Sequence, residues 1–293
     1  MKTPIALTAA LFIALAGTTL VPAADGRIAV VAAENFYGGV AQEIGGDQVS
    51  VISIMSNPDQ DPHLFEVSPA VVRQVAAAQI VIYNGADYDP WTERLLGVTP
   101  RPGRIVIAAA ALMNKHPGDN PHLWYDPATM PAVATAIAAA LAASDPSHKD
   151  DYAARLQTFV ASLAPMNQKI AAIAGKYAGV TVTASEPVFG NMAAALKLTM
   201  RNERFQLAIM NNTEPSASDI AAFERDLETH KVRVMFYNKQ AADKLVRHLV
   251  DLARSANISV VGVTETAPPG LSYRDWMLNE LDETAHALAG PSS

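Results

Sequence analysis

The chain has 293 residues, half of them hydrophobic, a formal net charge of −7 and no cysteine. That length fits one large domain or two medium ones, and the hydrophobic share supports a sizeable core. The mildly acidic balance argues against nucleic-acid binding and suits attraction of cations. The missing cysteines exclude disulfides, thiolate metal ligands and a lipidated cysteine.

Met1-Lys2 followed by an apolar run and small residues ending at Ala23-Ala24 reads as a signal peptide over residues 1–24. The run is shorter than the ~20 apolar residues a membrane span needs. Export to the periplasm without a lipid anchor is the expectation. No later segment is apolar and long enough to cross a membrane.

Residues 27–33 read as a buried strand, and 36–44 as a helix stopped by Gly45-Gly46. A strand at 49–55 follows, then a helix at 68–78 with Ser68 as its cap and Pro69 in its first turn. Strand 79–83, a short helix at 91–96 and strand 104–108 continue the alternation. Helix 126–144 is rich in alanine, and 149–177 is one long helical pattern in which Pro165 can introduce a kink.

The alternation then resumes with strand 180–184, helices 189–196 and 217–228, and strand 232–237. Helix 239–256, strand 259–263 and helix 273–289 complete the chain, while 201–204 and 211–216 read as polar turns. Strands alternating with helices predict an α/β protein of two lobes, each with an open parallel sheet, joined by a long connecting α-helix. The expected divisions are an N-terminal lobe at 25–146, a linking helix at 147–177 and a C-terminal lobe at 178–293. No sequence repeat relates the two halves.

Two segments stand out, Asp61-Pro62-His63-Leu64-Phe65-Glu66 and Asn120-Pro121-His122-Leu123-Trp124-Tyr125. In each, a proline stiffens the backbone ahead of the histidine. Imidazole is the commonest metal ligand near neutral pH. Glu186 and Glu265 likewise follow strands directly, in Ser185-Glu186-Pro187 and Thr264-Glu265-Thr266. Ligands of open α/β sheets sit beyond the carboxyl ends of the strands. His63, His122, Glu186 and Glu265 are therefore the candidate metal ligands, two from each lobe. Two imidazoles with carboxylates suit zinc, manganese or iron. Glu186 could instead cap the helix starting at Pro187, and Glu265 could be a solvated loop residue. His116, His148, His230, His248 and His286 read as surface residues, and Trp124 and Tyr125 as packing that shields the site.

The order of DPHLFE, IVIYNGADYD with Trp91, NPHLWYDP, the long linking helix and ASEPVFG resembles the zinc- and manganese-binding solute receptors of ABC importers. The resemblance covers essentially all of the chain after the signal segment. It implies capture of a divalent metal between two lobes, delivery to a membrane permease of an ABC transporter, and no catalysis. It places His63 and His122 as ligands of the first lobe, Glu186 in the third-ligand place and a late acidic residue, Glu265, in the fourth. Zinc-specialised members usually carry histidine at the third place, so Glu186 resembles the manganese and iron members. A monomer is expected. Two rival readings remain, an exported metallohydrolase with a two-histidine, one-carboxylate site and an organic-solute receptor of the same architecture. No nucleophile elbow, His-Glu-x-x-His pair or phosphate-binding glycine loop supports an enzyme.

Overall fold

The structure is a computed structural model that describes residues 26–59 and 62–290. The expected signal peptide and Asp61 of the first histidine motif lie outside the described residues.

The first lobe is built from β1 (Ile28–Glu34), α1 (Asn35–Gly45), β2 (Val49–Met55), α2 (Pro69–Ala77), β3 (Ile80–Tyr83), α3 (Pro90–Val98), β4 (Ile105–Ala108), the single turn α4 (Ala109–Leu112) and α5 (Thr129–Ser144). Its four strands are parallel in the order β2-β1-β3-β4. β1 and β3 are apolar apart from Glu34 at the end of β1, and all four residues of β3 are buried, as a sheet covered on both faces requires. Ser68 caps α2 by accepting from the Val71 amide, with Pro69 in the first turn.

The expected linking helix forms as two segments, α6 (Lys149–Ser162) and α7 (Ala164–Tyr177), with Leu163 between them. Pro165 is the cause. It has no amide to offer the carbonyl of Ala161, so the α-helical ladder is interrupted there.

The second lobe contains β5 (Thr181–Ala184), α8 (Gly190–Ala195), β6 (Thr199–Arg201), α9 (Glu203–Met210), α10 (Ala217–Glu228), β7 (Val234–Asn238), α11 (Lys244–Ser255), β8 (Ser259–Val263) and α12 (Tyr273–Ala289). Its sheet is also parallel, in the order β6-β5-β7-β8. The two sheets thus share one strand order without a sequence repeat. β6 and α9 meet within 201–204, which read as a polar turn, and the rest of both falls where the sequence suggested no element. β6 is only three residues long, and α9 starts from Asn202 in the left-handed conformation (φ 60°), so neither leaves a clear periodic signal.

One buried apolar cluster runs from β1 to α12 and includes residues of both lobes; a smaller one around Phe205, Phe223 and Leu249 lies in the second. α12 packs against α7 and β8 and also touches α1, so the last helix clamps the two halves. Tyr125 and Tyr273 add polar links. The Tyr125 hydroxyl lies 2.8 Å from the Thr264 carbonyl and 2.6 Å from Oε2 of Glu280, its one proton shared between them, and Tyr273 donates to the Trp124 carbonyl (2.7 Å). Among the described residues, no helix is long and apolar enough to cross a membrane.

Candidate metal centre

In both sheets the strand order reverses beside the first strand, and side chains from several strand ends converge there. His63 lies in a single 3₁₀ turn (Pro62–Leu64) after β2. His122 precedes another such turn (Leu123–Tyr125) after α4. Glu186 follows β5, and Glu265 follows β8.

The structure brings three of the four expected residues into one cluster. His63, His122 and Glu265 each offer a donor atom within 4.8 Å of the others. Oε2 of Glu265 lies 3.4 Å from Nε2 of His63 and 3.3 Å from Nε2 of His122. Glu265 and His122 are fully buried, and His63 keeps 18 % side-chain exposure, so the cluster reaches solvent along the His63 edge. Nε2 of His122 and Oε2 of Glu265 have no hydrogen-bond partner. Buried polar atoms are rarely left so without a reason.

Glu186 stands outside that three-residue cluster but is tied to it. The side-chain amide of Asn238, at the end of β7, donates to Oε2 of Glu186 (2.6 Å) and to Oε1 of Glu265 (2.6 Å). Oδ1 of Asn238 accepts from the Gln240 amide (2.9 Å), which fixes the orientation of its side chain. Oε1 of Gln240 in turn accepts from the amides of Glu265 (2.6 Å) and Thr266 (3.2 Å), pinning the loop that carries Glu265.

His122 is oriented with similar care. Its Nδ1 lies 2.8 Å from Oδ1 of Asn120, which also accepts from the His122 amide (3.1 Å). Nδ2 of Asn120 donates to the Pro187 carbonyl (2.7 Å), so the oxygen must face the imidazole. The proton therefore sits on Nδ1, and Nε2 presents a lone pair toward the cluster. Asn191 donates to the His122 carbonyl (2.8 Å). Sequence inspection confined to histidines and carboxylates passes over Asn120, Asn238 and Gln240. The signal that marks them is position: like the ligand candidates, they follow strands or sit in the loops beyond.

Burial lowers the pKa of His122, against the pull of Glu265. For Glu265, burial alone would raise the carboxyl, but the two imidazoles at 3.3 and 3.4 Å hold it well below the usual range. Burial thus disfavours the imidazolium of His122, while the adjoining imidazoles favour the ionised form of Glu265. Tyr88, Trp124 and His122 meet at ring-centroid distances of 4.9 to 5.9 Å, forming a dry wall. Trp124 and Tyr125 are buried as expected, and Tyr125 also bridges to the second lobe. Arg204, in the polar segment at 201–204, pairs with Asp219 at 3.1 Å.

Residues 30–287 match the family described as the periplasmic component A of zinc-uptake complexes. The chain belongs to this family. The zinc-uptake component A family is one of metal-binding receptors, and named relatives of this chain agree. A protein of Treponema pallidum (strain Nichols) called a putative metal-binding protein is 23 % identical, over 90 % of this chain and 88 % of its own length. The manganese ABC transporter substrate-binding lipoprotein PsaA of Streptococcus mitis is 22 % identical, over 90 % of each chain. The periplasmic zinc-binding protein TroA of Treponema pallidum superposes with a TM-score of 0.76 at 18 % identity, over 92 % of this chain and all of its own. That likeness extends the family assignment to the two-lobe fold.

Proposed function

We propose that this chain captures one divalent transition metal between its lobes through His63, His122 and Glu265, with Glu186 as the fourth ligand, and delivers it to the permease of an ABC transporter. The cargo is zinc or manganese, with iron as a further candidate. The observation that carries this reading is the spacing of the donor atoms. Zinc held at 2.0–2.1 Å by a tetrahedral set places its ligands about 3.3 Å apart. The carboxylate oxygen of Glu265 stands 3.3 and 3.4 Å from the two ring nitrogens.

The lobes at 25–146 and 178–293 hold the ligands from opposite sides, and the helical link at 147–177 limits their relative motion to small tilts. Metal bonds gained across the cleft stabilise the closed arrangement. The chain works as a monomer in the periplasm. Several relatives are named lipoproteins, but this sequence has no cysteine to accept a lipid. The receptor is not an enzyme.

Thermal denaturation of metal-stripped protein with zinc, manganese or iron(II) tests this reading. A metal that binds the folded state raises stability by about 2.7 kcal/mol at one hundred times its Kd. The shift should vanish in His63→Ala and in Glu265→Ala. A melting curve that no metal moves would overturn the capture reading in favour of an organic solute.

A further inference from the structure

Asn238 lies at the floor of the cleft and is 1 % exposed. It is neither a metal ligand nor a charge, yet it touches both carboxylates of the candidate site. Its side chain has no rotational choice. Oδ1 is taken by the Gln240 amide (2.9 Å), and its own backbone amide is anchored on Ser185 Oγ (3.1 Å). Nδ2 is thereby turned toward Glu186 and Glu265, giving one hydrogen bond of 2.6 Å to each. Donation to an ionised carboxylate is among the stronger hydrogen bonds, and burial strengthens it further.

This arrangement has a stereochemical consequence. A carboxylate can offer a cation one oxygen or both. Oε1 of Glu265 is held by Asn238, and Oε2 faces the two histidines. Oε2 of Glu186 is held by the same amide. Each hydrogen bond takes up a lone pair of the oxygen it holds and fixes the orientation of the carboxylate, so binding a metal through one oxygen is favoured over binding through both. With one nitrogen from each histidine, one-oxygen binding gives four protein donors. Zinc is satisfied by four ligands in a tetrahedron. Manganese belongs with the oxygen-rich, six-coordinate metals, and two-oxygen binding by either carboxylate is the simplest way to supply the added donors.

We propose that Asn238 is the positioning residue that sets the metal preference of this site, holding Glu186 and Glu265 to one donor oxygen each and so favouring four-coordinate zinc over manganese. This rests on the metal-capture reading above. It also runs against the resemblance of Glu186 to the manganese and iron members, because it places selectivity in how the carboxylates are held rather than in their number.

The test compares unmutated protein with Asn238→Ala and Asn238→Asp. Asn238→Ala deletes both donors. Asn238→Asp keeps the size and the acceptor for the Gln240 amide, but it replaces the two N–H donors with at most one O–H and, once ionised, with none. Two quantities are read on each protein: the ratio of zinc to manganese affinity by chelator competition, and the visible spectrum of the cobalt(II) adduct. Tetrahedral cobalt(II) absorbs strongly in the visible and six-coordinate cobalt(II) weakly. A purely structural role would weaken both metals together and leave the spectrum alone. The expected result is an intense tetrahedral spectrum for the unmutated protein. In both variants the cobalt bands should weaken and the zinc-to-manganese ratio should fall at least tenfold. An unchanged ratio and spectrum in a variant that still binds metal would overturn the role of Asn238. If Asn238→Ala does not fold, the isosteric Asn238→Asp decides alone. Failure of the unmutated protein to bind any metal would be a different result, sinking the capture reading itself.

Discussion

The imidazole of His122 can bind a cation only if its proton sits on the far nitrogen, and Asn120 puts it there. The Nδ1 to Oδ1 distance is 2.8 Å, and Asn120 cannot swap its oxygen and nitrogen without losing the Pro187 carbonyl. Groups that orient a ligand from behind typically contribute roughly 10- to 100-fold in metal affinity. Asn120→Ala should weaken zinc binding by that factor while the protein stays folded, as measured by competition with a chromophoric chelator. Unchanged affinity would mean that His122 finds its tautomer without help. His63, His122 and Glu265 were legible in the sequence because histidines after proline and acids after strands are chemically conspicuous. Asn120, Asn238 and Gln240 were not, because asparagine and glutamine in loops have a simpler explanation as turn residues. Their roles emerge only when the loops are placed side by side.

At the scale of elements, strands and helices with a full hydrophobic repeat were readable to within a few residues, although α11 begins only at Lys244 where a helix from 239 was expected. β2, β8 and α12 coincide with the expected segments. β6 and α9 escaped because a three-residue edge strand and a helix entered through left-handed Asn202 carry little pattern. The short turn Leu123–Tyr125 has a role its sequence did not reveal. It places His122 at one end and, at the other, Tyr125, whose hydroxyl reaches across to Thr264 and Glu280. Thr264 is the neighbour of Glu265, so one turn couples a histidine of the first lobe to the carboxylate loop of the second. Tyr125→Phe removes the one hydroxyl proton that the carboxyl of Glu280 and the Thr264 carbonyl share. A loss of roughly 1–3 kcal/mol is expected, read as a lower urea midpoint with unchanged slope. A wild-type midpoint would show that the strap contributes no stability.

The whole molecule carries an unusual load of buried acid. Burial pushes Asp89 up to about 6, although the amides of Asn84 and Gly85 donate to it. Burial raises Glu34 well above its ordinary value, and the charge of Asp89 adds to this. Burial also lifts Glu280 to about 7 against the donors Tyr125 and Trp276. In the unfolded chain these groups titrate near 4. Between that value and the raised one, the folded state binds more protons, so stability falls as pH rises. His122 has the opposite sign. Its lowered pKa makes stability rise with pH, but only up to the ordinary histidine value near 6.5. Above that, the acids act alone, and each pH unit costs about 1.4 kcal/mol per proton still held only by the folded state.

Metal binding runs the other way, because protons compete for the histidines and binding strengthens as pH rises. Metal-free protein should therefore lose thermal stability between about pH 6.5 and 8, while the gain from saturating metal shrinks below about pH 6. Glu34→Gln removes one of these protons and supplies an N–H toward Asp89, so its melting temperature should fall less steeply over the same range. Melting curves of both proteins, with and without zinc, from pH 5 to 8 measure all three slopes. A metal-free melting temperature that climbs from pH 6.5 to 8 would mean that Glu34 and Glu280 are ionised in the folded protein, and that the charge buried beneath the cleft is compensated by groups other than those seen around it.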